Sequence, residues 1–213
     1  MTEKKLKKAD YDLIFDYISS LFTNMDTELK RETPFQLLVA VMLSAQSTDK
    51  QVNKITDQLF LSIKGPDDVL KMGQEKLEKA ISSVNYYRMK AKHIYHTAEI
   101  LDGKVIPEDE VELMRLPGVG EKTAKVIQYV LYHQPVIAVD THVHRVANRL
   151  GIVQTKTPLE TSKQIEKAVP ESWKMVAHHA LILFGRYYCK AVKPKCEGCG
   201  LREICRYKKI YRL

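Results

Sequence analysis

The chain reads as an all-α protein, and three features carry that reading. Apolar residues recur at spacings of three and four almost throughout, and no run alternates as a half-buried strand would. Helix-capping residues stand ahead of the periodic runs. Only 9 glycines and 8 prolines punctuate 213 residues, 45% of them apolar, which excludes general disorder and allows one sizeable core or two small lobes.

Taken in order, Asp10 precedes the periodic run Tyr11, Ile14, Tyr17, Ile18 and Leu21. Thr33 and Pro34 form the cap and first residue of a helix over Phe35 to Ala45, apolar nearly all round and therefore central. Val52, Ile55, Leu59 and Phe60 share one helical face, Leu77, Ile81 and Val84 a second, and Ala91, Ile94, Ala98 and Leu101 a third that closes before Gly103. Pro107 opens a helix over Glu108 to Arg115. The apolar run Val136 to Val139 delivers Asp140 to the head of a helix that ends at Leu150 before Gly151. Thr157, Pro158 and Glu160 form a capping box for a helix ending near Pro170. With no internal repeat or low-complexity linker, a second lobe has to be built from segments that pack.

The apolar stretches at Phe35 to Ala45 and Ala177 to Phe184 are shorter than the roughly 18 residues of a membrane span. The lysine-rich amino end is not followed by a signal-peptide core. A cytoplasmic or nucleoid location with no membrane association is expected. Net charge is +8, unevenly placed: Met1 to Lys8 carries +3 and Gly185 to Leu213 carries +7, leaving −2 between them. A fold that gathers both ends concentrates positive potential on one lobe, which suits a polyanion such as nucleic acid. For the first eight residues a solvated tail is the preferred reading. Tyr187, Tyr188, Tyr207 and Tyr211 indicate that the carboxyl end folds.

All four cysteines, Cys189, Cys196, Cys199 and Cys205, lie close together as C-x6-C-x2-C-x5-C. In a reducing compartment such a group points to a metal rather than to disulfides. Structural zinc usually uses two close pairs, whereas here only Cys196 and Cys199 are paired, so the spacing favours an iron–sulfur cubane with zinc as the alternative. Lys190, Lys193 and Lys195 lie between the first two cysteines and give the pinned loop a phosphate-contacting surface.

Leu116-Pro117-Gly118-Val119-Gly120 joins two helices as a helix-hairpin-helix. Its glycines allow a tight turn and leave amides open at the positive end of the second helix, a grip on phosphate that reads no sequence. A P-loop is excluded by the glycine spacing. Lys122 stands in the first helical turn, where a cation opposes the macrodipole. Propensity is given up in this way at functional sites, so Lys122 is either a nucleophile or a surface lysine paired with Glu121 or phosphate. Asp140 is first an N-cap, and a carboxylate emerging there also suits stabilising a cation or guiding a proton. His142 and His144 fall on different helix faces and suit packing or phosphate contacts, and His178 and His179 suit the core.

Leu116 to Ala124, Val139-Asp140-Thr141-His142 and the cysteine pattern together closely resemble the endonuclease III family, the iron–sulfur branch of the helix-hairpin-helix DNA glycosylases. The resemblance runs from about Thr33 to Tyr207 and includes Leu43 to Asp49 and Phe184-Gly185-Arg186-Tyr187. It implies two lobes with DNA in the cleft between them. A six-helix lobe at 27–135 would contain the hairpin at about 108–133, and a discontinuous lobe, 1–26 with 136–213, would hold a 4Fe-4S cluster at 189–205. It further implies a monomeric base excision repair glycosylase and AP lyase acting on double-stranded DNA that carries an oxidised pyrimidine or an abasic site. Lys122 would attack C1′, expel the base and cut the strand by β-elimination through a Schiff base, with Asp140 assisting. Gln46 would fill the space left by the flipped nucleotide and Tyr86 would wedge the opposite strand. Leu116, Gly118, Val119, Gly120, His142, Lys190 and Lys193 would contact DNA. The chain departs from the family pattern at Asn85-Tyr86-Tyr87-Arg88, where glycine followed by a smaller apolar residue or Phe is common. A mismatch or adenine glycosylase lacks the lysine, and a non-catalytic iron–sulfur DNA-binding protein needs neither Lys122 nor Asp140.

Overall fold

The computed structural model describes residues 6–211, with side chains as far as Lys208. Met1–Lys5, which hold part of the basic amino end, and the side chain of Tyr211 lie outside the described residues. Among the described residues there are twelve helices and no strand. The chain divides into two compact units, Thr27–Tyr132 and a discontinuous one of Met1–Asp26 with His133–Leu213. The first helix, α1 (Lys8–Ser20), belongs to the discontinuous unit. It begins three residues before the expected start, because Asp10 lies inside the first turn and accepts the Lys7 amide at 2.7 Å.

The continuous unit is built on α2 (Pro34–Ser44), in which every residue from Phe35 to Leu43 is buried. Thr33 Oγ1 accepts the Gln36 amide at 3.1 Å. The buried Gln36 side chain in turn donates to the carbonyls of Phe60 and Ile63 at 3.2 and 2.8 Å, so its polarity is satisfied inside the core. The helix α3 (Asp49–Ser62) turns Val52, Ile55, Leu59 and Phe60 inward. Next come α4 (Pro66–Met72) and α5 (Gln74–Ala80), joined at Gly73 with φ +81°, and of the expected face of Leu77, Ile81 and Val84 only Leu77 lies within α5. Ile81 and Val84 are buried beyond the end of α5, so periodic burial outlasts the helix there. The long α6 (Tyr87–Leu101) buries Ala91, Ile94, Ala98 and Leu101.

The short α7 (Glu110–Met114) starts after Asp109, whose carboxylate accepts the Glu112 amide at 3.0 Å, and not at Pro107. Its neighbour α8 (Glu121–Tyr132) completes the unit. Seven helical segments result, rather than six.

The discontinuous unit packs α1 with α9 (Thr141–Leu150), α10 (Pro158–Ala168), α11 (Glu171–Tyr187) and α12 (Arg206–Tyr211). Ile14, Phe15 and Ile18 meet Val143, Val146, Leu150, Ala180, Leu181 and Phe184 in its core. His178 and His179 are buried on α11 as expected. Thr157 caps α10, but the Glu160 carboxylate reaches the amide of Lys156 at 2.8 Å, so the reciprocal half of the capping box falls one residue early. The backbone of α9 presses on α11 at Gly185, where a Cβ would lie 2.9 Å from that of His142. This close approach sets the first turn of α9 against α11.

Candidate nucleic-acid interface and metal centre

The hairpin divides its work between two glycines. Gly118 has φ +78°, and a Cβ there would lie 2.8 Å from Nδ1 of His93 on α6, so this position makes the turn and packs on the helix beneath it. Thr97, one turn further along α6, donates to the Pro117 carbonyl at 3.1 Å. Gly120 has nothing within 4 Å of its would-be Cβ and leaves open space at the head of α8. The first helical bond runs from Ala124 N–H to the Gly120 carbonyl at 2.9 Å, which places the amides of residues 121–123 ahead of the ladder and available to an anion. Leu116 and Val119 are buried, so their contribution to an interface is through the main chain. Gly118→Ala should therefore cost about 1–2 kcal/mol of stability, to be read by thermal denaturation. Gly120→Ala should leave stability nearly unchanged and weaken DNA binding.

Lys122 is exposed in the first turn of α8. Its sequence neighbour Glu121 forms an ion pair with Lys125, one turn on, at 3.3 Å.

Gln46 and Tyr86 lie on adjoining turns of the same unit. Both are exposed and both have left-handed backbone, at φ +57° and +58°. Asn85 bridges the two turns by donating to the Gln46 carbonyl at 2.8 Å. At the Asn85-Tyr86 departure from the family pattern, the asparagine therefore makes a contact that a glycine cannot.

In the discontinuous unit, Asp140 caps α9. One oxygen, Oδ1, accepts the amides of His142 and Val143, both at 2.8 Å, and the second carboxylate oxygen lies outside this cap. His142 is half-buried with Nδ1 3.2 Å from the Arg145 guanidinium. His144 instead faces Thr161, 2.7 Å away, and is committed to packing α9 on α10.

Two arginines not singled out from the sequence join α9 to the cysteine segment. Arg145 donates to the carbonyls of Cys189 and Gly185 at 3.1 and 2.8 Å. Arg149 donates to the carbonyls of Lys190 and Ala191 at 2.7 and 3.2 Å and lies 3.4 Å from the Cys189 sulfur. Their spacing of four places both on one face of α9, a signal visible in the sequence but without a partner there. Lys190 and Lys193 project from this pinned loop into solvent. The Lys195 ammonium sits 4.8 Å from the centre of the Tyr188 ring, which leaves Lys190 and Lys193 as the charges not engaged in this way.

The four thiols are free and half-buried. Cys189, Cys199 and Cys205 pack against the core of their unit. Burial pushes up the Cys189 thiol, opposed by the hydrogen bond and charge of Arg149. Burial also pushes up Cys199, which feels the charges of all three other cysteines. Four thiols within electrostatic reach of one another, with an arginine beside one of them, fit a polythiolate centre. Among the described residues, no three His, Cys, Asp or Glu side chains are gathered so as to hold a single metal ion. Four thiols in one short segment suit a four-iron cluster bound by one thiolate per iron. The purified protein should accordingly be yellow-brown with about four irons per chain. Cys199→Ser should lower iron content and folded yield, whereas stoichiometric zinc without iron would contradict the assignment.

Comparison with known proteins gives the same result by an independent route. Residues 39–171 match the family model of the HhH-GPD superfamily base excision DNA repair proteins, and residues 189–205 match the iron–sulfur binding domain of endonuclease III. Endonuclease III of Bacillus subtilis is 45% identical over 205 residues, covering 94% of this chain and 93% of its own. That of Escherichia coli K12 is 43% identical over 186 residues, covering 85% and 88%. A trapped endonuclease III–DNA covalent intermediate superimposes with a TM-score of 0.88 at 42% identity, covering 98% of this chain and all of that one. Hairpin, capped aspartate, four-thiol segment and near full-length similarity all agree, and the chain belongs to the endonuclease III family of helix-hairpin-helix base excision repair proteins.

Proposed function

We propose that this chain removes oxidised pyrimidines from duplex DNA and cuts the strand at the resulting site, with Lys122 as nucleophile and Asp140 as its charge-stabilising partner in the reaction. It is a base excision repair DNA glycosylase and AP lyase that holds a 4Fe-4S cluster. Cys189, Cys196, Cys199 and Cys205 would bind that cluster, which supplies one-electron chemistry and a rigid fold for the basic loop. The observation that carries the reading is the exposed Lys122 directly after an amide-lined hairpin, next to a glutamate that forms an ion pair with Lys125. The hairpin amides take a phosphate, fixing the backbone against α8. The Lys122 amine attacks C1′, the C1′–N bond breaks and the base leaves with a proton. Opening of the C1′–O4′ bond gives an imine, loss of a C2′ proton breaks the bond from C3′ to its phosphate, and water then releases the lysine. The Asp140 carboxylate offsets positive charge on the sugar and accepts a proton.

The nucleotide has to leave the stack first, at a cost of a few kcal/mol. Gln46 occupies the space it leaves and Tyr86 wedges the opposite strand. His142, Lys190 and Lys193 add contacts to the backbone. Action as a monomer on cytoplasmic, nucleoid DNA is part of this reading. Among the described residues no helix is long and apolar enough to cross a membrane.

The test is product analysis on duplexes carrying thymine glycol, uracil, 8-oxoguanine or an abasic site. Thymine glycol and the abasic site should be cut with β-elimination ends and the other two left intact. Cleavage confined to uracil or 8-oxoguanine would overturn the substrate assignment.

Salt dependence separates the basic loop from the hairpin. Each lysine on a phosphate adds roughly 0.9 to the slope of log affinity against log salt, and neutral amides add less. Lys193→Ala should weaken duplex binding and flatten the slope by about that amount, with the chemical step unchanged at saturating DNA. Unchanged affinity and slope at low ionic strength would remove the loop from the interface.

A further inference from the structure

Gln46 and Tyr86 share a conformation that non-glycine residues adopt only where their surroundings impose it. At Gln46 the turn is closed by the Ser47 amide donating to the Ser44 carbonyl at 3.0 Å, with Ala45 before it at φ −56° and ψ 115°. The Gln46 turn follows the carboxyl end of α2, where helix carbonyls are left without amide partners. Those carbonyls are taken up by Lys90 of α6, 8% exposed, whose ammonium donates to Leu43 O at 2.7 Å and Ala45 O at 2.6 Å and lies 3.5 Å from Ser47 Oγ. Three N–H donors thus meet three oxygens, all from one short segment. Asn85 adds the bond to the Gln46 carbonyl, and Gln51 of α3 donates to Ser83 O at 2.6 Å, so the two turns are laced together from both sides.

Burying an ammonium beside carbonyls, with no carboxylate among these contacts, is costly, and burial alone accounts for the lowered Lys90 pKa. A methionine would fill the same volume without that cost. What the ammonium adds is order: it fixes the path of residues 43–47 against the start of α6, where Tyr86 sits. Three and seven residues further along α6, His93 and Thr97 support the hairpin. The helix therefore carries both strained turns at one end and the phosphate grip along its side, within one compact unit.

We propose that Lys90, assisted by Asn85, is a positioning residue that locks the Gln46 and Tyr86 turns into one preformed wedge, set for insertion before DNA arrives. This rests on the gap-filling and wedging roles given above to Gln46 and Tyr86. Preformation matters because insertion competes with restacking of the base, and a wedge that must first order itself loses rate at that step.

The test compares single-turnover excision of thymine glycol from a paired duplex with excision of the same lesion in an unpaired bubble, where no stack has to be opened. Lys90→Met and Asn85→Ala should each slow excision from the duplex about tenfold and leave the bubble rate unchanged. Lys90→Met should add nothing to a Gln46→Ala, Tyr86→Ala double variant. Equal slowing on both substrates, or none on the duplex, would overturn the proposal. If Lys90→Met does not fold, Asn85→Ala at its exposed position decides. A double variant as fast as the parent on the duplex would show that the wedge reading itself fails, and the proposal with it. A slow double variant beside normal Lys90→Met and Asn85→Ala would sink the positioning role alone.

Discussion

Lys122→Gln should lower strand cleavage at an abasic site by at least about a thousandfold and abolish borohydride cross-linking, while binding to abasic duplex stays close to that of the parent. Glutamine keeps an unbranched polar side chain of similar helix propensity, one atom shorter, but has no amine with which to form an imine. The structure gives little reason for collateral damage. Lys122 is exposed, Glu121 forms an ion pair with Lys125, and the hairpin turn depends on Gly118 against His93. Phosphate capture by the amides of residues 121–123 is a main-chain property that the substitution leaves in place. A gel-shift titration beside a cleavage time course measures the two effects separately. A parallel loss of binding would make the lysine an anchor.

Asp140→Asn should slow turnover by about a hundredfold or more, because a neutral amide neither offsets positive charge on the sugar nor accepts a proton. Stability should fall by less than about 1 kcal/mol, since asparagine is as good an N-cap as aspartate and loses only the attraction between carboxylate and helix dipole. The geometry supports this separation: a single oxygen of Asp140 serves both amides of the cap at 2.8 Å, and an asparagine oxygen can replace it. Asp140→Ala removes the cap as well and should cost about 1 kcal/mol more. Denaturant melts of both variants, set against their single-turnover rates, distinguish a chemical carboxylate from a purely structural one. If Asp140→Asn unfolded to the same extent as Asp140→Ala, the structural role would be the whole of it.

What was legible in the chain was local. Thr33-Pro34 before an all-apolar run marks α2, Asp140 before Thr141 marks α9, and four clustered cysteines mark a metal centre, because caps, periodicity and ligand spacing each act within a few residues. Misplaced boundaries arose where two local signals competed. Asp109 outcompetes Pro107 as the start of α7 because its carboxylate takes an amide, and α5 ends at Ala80 although periodic burial continues through Ile81 and Val84.

The contacts that organise the site were not legible. Lys90 reaches back to residues 43–47 and Arg149 reaches forward to residues 189–191, and no pattern along the chain encodes such pairings. A trace of the first is present all the same. Lys90 occupies a position that the Ile94, Thr97 and Leu101 stripe would assign to the core, and a lysine there signals a buried polar partner.

The assignment of Lys122 as nucleophile is tested most directly by reducing the parent protein with borohydride in the presence of abasic duplex, digesting the adduct and locating the modified residue by mass spectrometry. A single adduct, at Lys122, is expected. An adduct at Lys125, at another lysine or at the terminal amine would contradict it.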